Sequence, residues 1–181
     1  MPKKTDAQVR RTRQWLLDSL TELMREKDFE QITISELAER SGLDRRTFYR
    51  HYSAKEEVIT EHIRELAKGY ETSLRRSPAM NTHAIALAYF HVCQENGELL
   101  KLLHRHKLLP LLLDEFNRLF PLIHTKYHTG EDFYAPFDTG YALSYHVGGF
   151  WNVLARWLSD GMKQTPEELA AMFRHMLPEF I

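Results

Sequence analysis

Ile32-Thr33-Ile34-Ser35-Glu36-Leu37-Ala38-Glu39-Arg40-Ser41-Gly42-Leu43-Asp44-Arg45-Arg46-Thr47-Phe48-Tyr49-Arg50-His51-Tyr52 is the stretch that decides the fold. Thr33 and Glu36 have the spacing of a capping box, in which the hydroxyl accepts from a free backbone N–H and the carboxylate reaches back to the cap. The spacing predicts a short helix that starts near Ile34 and buries Leu37 and Ala38. It stops at Ser41-Gly42, because glycine takes the left-handed conformation that ends a helix at little cost. Asp44 then caps a second helix running from Arg45 to Tyr52. Two short helices joined by a tight glycine turn have the outline of a helix-turn-helix.

On the N-terminal side, Val9, Leu16, Leu17, Leu20, Leu23 and Met24 recur at spacings of three and four, which predicts an amphipathic helix from Asp6 to Glu26. On the C-terminal side, Ser53 with Glu56 reads as a second capping box. It opens a helix through Val58, Ile59, His62, Ile63 and Leu66 toward Leu74, ended by Arg75-Arg76-Ser77-Pro78. Asn81 or Thr82 caps the next helix, through Ile85, Leu87, Ala88 and Cys93, and Asn96-Gly97 closes it. Further helices are predicted over Leu99 to His106, Leu111 to Tyr127, Thr139 to Met162 and Pro166 to Phe180, the last with Pro166 at its first position behind Thr165. A long loop is predicted only over His128 to Pro136.

Composition agrees with an all-α chain. Gly (8) and Pro (7) are scarce among 181 residues, which argues against a loop-rich β-sandwich. No apolar run approaches the ~20 residues of a membrane span. The N-terminal pattern of Lys3, Lys4 and a short apolar stretch cut by Asp18 is not that of a signal peptide, so a cytoplasmic location is expected. A single cysteine, Cys93, excludes an intrachain disulfide and a multi-cysteine zinc cage.

The net charge is −1, yet residues 1–55 carry 12 Lys/Arg against 9 Asp/Glu, while the remainder carries 12 against 16. Lys3, Lys4, Arg10, Arg11 and Arg13 face Asp6 alone in the first 13 residues. Such an asymmetry fits a nucleic-acid-binding end on a neutral-to-acidic body, and equally a solvated helix face.

The run Thr47-Phe48-Tyr49-Arg50-His51-Tyr52-Ser53-Ala54-Lys55-Glu56-Glu57 resembles the signature of the TetR family of bacterial transcriptional regulators. In that signature a short recognition helix ends in an aromatic, a Tyr, a variable residue, a His and an aromatic, followed closely by Lys-Glu. The resemblance covers roughly residues 8–60, including the basic arm, the long first helix, Ile32-Thr33-Ile34 and Gly42. It departs at Tyr52, where Phe is commoner. Helical geometry puts Phe48 and Tyr52 on one anchoring face and turns Arg45, Arg46, Tyr49 and Arg50 away from it. Arg45 and Arg46 are then candidates for bidentate contacts to guanine in a major groove, and Thr47 for a thymine methyl or a phosphate. The resemblance implies phosphate contacts from Tyr49, His51 and Lys55. Thr33 completes the expected DNA-facing set.

For the rest of the chain the resemblance implies a helical domain that dimerises and encloses a small-molecule pocket. Gly148-Gly149-Phe150-Trp151 through Trp157-Leu158-Ser159-Asp160-Gly161 is similar to the penultimate helix of one subgroup. Two glycines within a helix cost roughly 1 kcal/mol each relative to alanine, and close approach of a partner helix is the expected compensation. The alternative is a bulky neighbour in the same chain. Tyr89, Phe90, Phe116, Phe120, Tyr141, Tyr145, Phe150 and Trp151 fall at helical spacings, a pattern of core or of pocket wall. If a pocket, its expected lining is Tyr89, Cys93, Phe116, Tyr145, His146 and Trp151, with the Tyr, His and Cys tips orienting an apolar or aromatic effector.

His124 and His128, His104 and His106, and His91 near Cys93 lack an acidic residue or second thiol at zinc-site spacing, so no metal site is assigned. Neither a Gly-x-Ser-x-Gly elbow nor a phosphate-cradling glycine loop is present, and no catalytic residue or cofactor is assigned. The expectation is a non-enzymatic regulator with residues 1–52 reading DNA and 53–181 dimerising and binding effector. It would occupy a palindromic operator as a homodimer, repress, and be released by its effector through a population shift. The rival reading is a co-regulator whose C-terminal domain binds a partner protein and no metabolite.

Overall fold

The periodicity of the N-terminal segment is realised as a helix whose apolar face, Leu16, Leu17, Leu20, Leu23 and Met24, is buried while Val9 is half-exposed near its start. The computed structural model describes residues 6–77, 81–127 and 139–176. Among these residues lie α1 (Asp6–Glu26), a 3₁₀ turn (Phe29–Gln31), α2 (Ile34–Arg40), α3 (Arg45–Tyr49) and α4 (Lys55–Arg76). They are followed by α5 (Thr82–Glu95), α6 (Gly97–Arg105), α7 (Leu109–Tyr127), α8 (Thr139–Ser159) and α9 (Pro166–Met176). No strand occurs among the described residues, and the protein is all-α. No described helix is long and apolar enough to cross a membrane. The predicted loop His128–Pro136, and the end of the last helix beyond Met176, lie outside the described residues.

The helix ends follow local chemistry. Thr33 Oγ1 accepts from the Glu36 N–H at 3.2 Å and Glu36 Oε2 accepts from the Thr33 N–H at 2.9 Å, which closes the capping box of α2. At its other end Gly42 has φ +66°, the Leu43 N–H donates to Ala38 O and the Gly42 N–H to Glu39 O, the two bonds of a Schellman motif. The same motif ends α8: Gly161 has φ +79°, Met162 N donates to Trp157 O, and Gly161 N to Leu158 O. For that reason α8 stops at Ser159, three residues short of the predicted Met162. Asn81 caps α5 through the Ala84 N–H, and Thr165 with Glu168 boxes α9.

The starts of α4 and α6 differ from the predicted ones as well. In place of the predicted box with Glu56, the Glu57 carboxylate accepts from both the Ser53 N–H and the Ser53 hydroxyl, and α4 starts at Lys55. Gly97 opens α6; it does not close α5, and a Cβ there would meet Met162 Sδ at 3.1 Å, so close packing explains the residue better than turn geometry does.

The chain divides into two compact units, Met1–Ile63 and Arg64–Ile181. The first extends past the expected boundary at residue 52, because Val58, Ile59 and Ile63 on the first turns of α4 are buried within it. Its core holds Leu16, Leu20, Met24, Leu37, Phe48 and Ile59, all fully buried. The second unit packs α5 against α9, α7 against α8 and α6 against α8 around Phe90, Leu100, Leu103, Leu154 and Trp157. Phe150 stacks on Phe173 at 4.5 Å, and the Trp157 indole N–H donates to Gln164 O at 3.1 Å.

Candidate functional site

Helix α3 is a five-residue helix anchored by one side chain and exposed on the rest. Phe48 is fully buried, and Tyr52 one turn on is 6% exposed with the two rings 5.9 Å apart. The helix ends at Tyr49, three residues earlier than predicted, since the His51 N–H takes the Phe48 carbonyl in a tighter i to i+3 turn. Arg45, Arg46 and Arg50 are exposed and Tyr49 is half-exposed, whereas Thr47 and His51 are intermediate. Asp44 caps the helix through the Thr47 N–H, and that bond, with Arg50 and Arg46 nearby, holds its carboxyl below the usual range. Arg50 Nη2 donates to Thr47 Oγ1 at 3.1 Å, so these two side chains share a position on the helix surface. Thr33 sits at the N-cap of α2 with its hydroxyl in the capping box.

Ion pairs and hydrogen bonds brace α2, the partner of this short helix in the turn, and the exit of α3 itself. Arg40 on α2 makes a two-pronged bond to Glu26 on α1, at 2.7 and 2.9 Å. Lys27 pairs with Glu36, and that bond together with those from Thr33 lowers the Glu36 carboxyl to about 2. Glu61 on α4 accepts from Tyr52 Oη at 2.6 Å and pairs with Arg13 on α1.

Lys55 does not project its ammonium outward. Its Nζ donates to the carbonyls of Phe29 (2.5 Å), Ile32 (2.7 Å) and Glu30 (3.3 Å), and lies 4.5 Å from the centre of the Phe29 ring. An ammonium has three donors, and three carbonyls take them. Partial burial lowers its pKa. The geometry supports a clamp on the connection between α1 and α2 in place of the phosphate contact that the motif implies.

The residues expected to line an effector pocket do not converge. Tyr89 is buried in an aromatic cluster, its ring centre 5.0 Å from that of Phe150, 5.4 Å from Phe116 and 6.3 Å from Tyr70. Burial raises the pKa of Tyr89 and pushes the thiol of Cys93 beside it up to about 12, so both stay protonated at neutral pH. Tyr89 and Phe116 share an apolar void with Phe120, Val147 and Phe150, but its free volume of about 10 Å³ is room for a single water. Tyr145 is 73% exposed, on the α8 face that also carries Tyr141 and Gly149 at four-residue spacing. His146, whose pKa burial lowers, and Trp151 are intermediate and do not line the void. The side chain of His124, and all of His128, lie outside the described residues.

Comparison with known proteins places this arrangement. Residues 16–61 match the family of bacterial regulatory proteins called tetR, and residues 80–179 match a transcriptional regulator C-terminal region. The chain belongs to the TetR family. Among its relatives, the uncharacterized HTH-type transcriptional regulator YxbF of Bacillus subtilis (strain 168) is 25% identical across 97% of this chain and 47% of its own length. The HTH-type transcriptional regulator TcmR of Streptomyces glaucescens is 32% identical across 43% of this chain and 34% of TcmR. The chain thus spans about half the length of the first of these TetR-family relatives and a third of the second. Among solved structures, Lin0861 from Listeria innocua matches with a TM-score of 0.81 over 97% of this chain and 94% of its own, at 18% identity, a likeness of fold.

Proposed function

We propose that this TetR-family chain is a DNA-binding transcriptional regulator that acts as a homodimer on a palindromic operator. The observation that carries the reading is α3, which presents Arg45, Arg46 and Arg50 outward while Phe48 and Tyr52 hold it down. Exposed arginines on a braced helix suit bidentate contacts to guanine edges in the major groove, with Tyr49, Thr47 and His51 on the flanking phosphates and Thr33 at the edge of the same surface. Residues 1–52 would hold the DNA-reading surface, and 53–181 the dimer contacts and effector site. Support for dimerisation comes from α8, where a Cβ at Gly148 or Gly149 would meet nothing within 4 Å among the described residues, so none of these neighbours accounts for the glycines.

Repression by occluding a promoter, relieved by a small effector, is the regulatory mode we infer for the second unit. The filled aromatic core also favours a second reading, in which this unit binds a partner protein, because the void beside Tyr89 and Phe116 is too small for a metabolite. The test is selection of genomic fragments by the purified protein, followed by sequencing and by affinity measurement on the enriched site. One enriched inverted repeat, bound by a dimer, supports the function; absence of any enriched sequence overturns it.

A further inference from the structure

Between α4 and α7 the second unit has an open crevice of about 280 Å³, near the lower end of small-molecule sites (~300 Å³). Ala67, Leu119 and Leu122 supply apolar walls, with Leu122 62% exposed. Arg64, Lys68, Arg118 and Glu71 line the rest. Beneath them Glu115 is 6% exposed and gives one oxygen to each guanidinium: Oε1 accepts from Arg64 Nε and Nη2 (3.1 and 2.8 Å), and Oε2 from Arg118 Nε and Nη2 (3.0 and 2.7 Å).

The charges do not balance. One carboxylate serves two guanidiniums, Glu71 is bonded by Arg75 one turn away, and Lys68 adds a further cation. Three cations, Arg64, Lys68 and Arg118, against the carboxylates of Glu71 and Glu115 leave this crevice positive, although residues 56–181 together are acidic. The two guanidinium planes are held in place by Glu115, so little ordering is left for a ligand to impose on them. An anion can gain charge-assisted bonds there, and hydrocarbon attached to it can cover Leu119 and Leu122.

The geometry points to the α4–α7 crevice as a binding site for an organic carboxylate with a short apolar arm, its carboxylate on Arg64, Lys68 and Arg118 and its hydrocarbon along Leu119 and Leu122. The inference deepens the effector half of the function proposed above, and its regulatory meaning rests on that reading. It also moves the effector from the aromatic void, which is apolar and full, to a surface with both the space and the charge.

The test is calorimetric titration of the full chain with octanoate, 1-octanol and octylamine, repeated with Lys68→Glu, Leu122→Glu and Lys101→Ala. All three positions are exposed, and circular dichroism and melting confirm that each variant folds. Octanoate is expected to bind at least tenfold more tightly than the alcohol or the amine. Lys68→Glu and Leu122→Glu should each weaken it at least tenfold, with Lys101→Ala unchanged. Equal binding of octanoate and octanol, no binding of octanoate, or parental binding by both crevice variants overturns the site. Octanoate that binds as stated yet leaves DNA affinity unchanged keeps the site and removes the effector reading. DNA release by another compound, undiminished in both variants, keeps the effector reading and overturns the site.

Discussion

Tyr52 Oη donates to Glu61 Oε2 over 2.6 Å, and Glu61 also pairs with Arg13, so one carboxylate ties the exit of α3 to both α1 and α4. The hydroxyl that distinguishes Tyr52 from the commoner Phe therefore has a partner. Tyr52→Phe should keep the ring packing against Phe48 and lose a bond to a charged acceptor, a cost of about 2 kcal/mol. Denaturant unfolding checks the size. Glu61→Ala as background removes the acceptor and should make Tyr52→Phe nearly neutral, as a double-mutant cycle reads out.

Lys55→Ala should destabilise the first unit by about 1–3 kcal/mol, because three carbonyls of the Phe29–Ile32 connection lose a charged donor. The slope of log DNA affinity against log salt should stay at its parental value. A phosphate contact would instead make the slope shallower by about one unit. Melting and salt titration of the same variant separate the two roles.

Acid should loosen the start of α2. The Glu36 carboxyl titrates near 2 in the folded chain, against an ordinary value of 4.5. A folded pKa below the unfolded one gives stability that is present above the unfolded value and lost as pH falls through the folded value. The window is therefore pH 4.5 down to 2. Glu36→Gln should lower Tm at pH 7 and flatten its dependence on pH across that window, as thermal melts at closely spaced pH values will show.

Much of this architecture could be read before the structure, for reasons specific to each element. The bounds of α1, the capping box of Thr33 and Glu36, and the Gly42 turn are local, set by residues within four positions of one another. Apart from the ends of α3 and α8, which local turns at Phe48–His51 and Gly161 set, what escaped depended on residues distant in sequence or on one-residue offsets. Ser53 faces glutamates at both three and four positions on, and only the helix start at Lys55 selects Glu57. The inward turn of Lys55 depends on carbonyls 23 to 26 residues earlier. Tyr145 has the composition of a pocket residue, but its helical phase puts it opposite the buried Leu143, Val147 and Phe150. The α4–α7 crevice needs Glu115 between two arginines 54 positions apart, a juxtaposition that no periodicity announces.

Gly149→Leu should weaken self-association at least tenfold while leaving the monomer folded, since a Cβ there meets nothing within 4 Å among the described residues and a partner helix packed on this face would be displaced. Sedimentation equilibrium over a range of concentrations checks this. Unchanged dimerisation would move the interface away from this face of α8.

Sequence reading by the outward arginines of α3 is measured with Arg46→Ala. Affinity is measured on the selected operator and on a random duplex of equal length at several salt concentrations. The expected result is a loss of about 1–3 kcal/mol on the operator, relaxed base preference at one position of each half-site, and a much smaller loss on random DNA. Equal losses on both duplexes, with base preference intact, would contradict it.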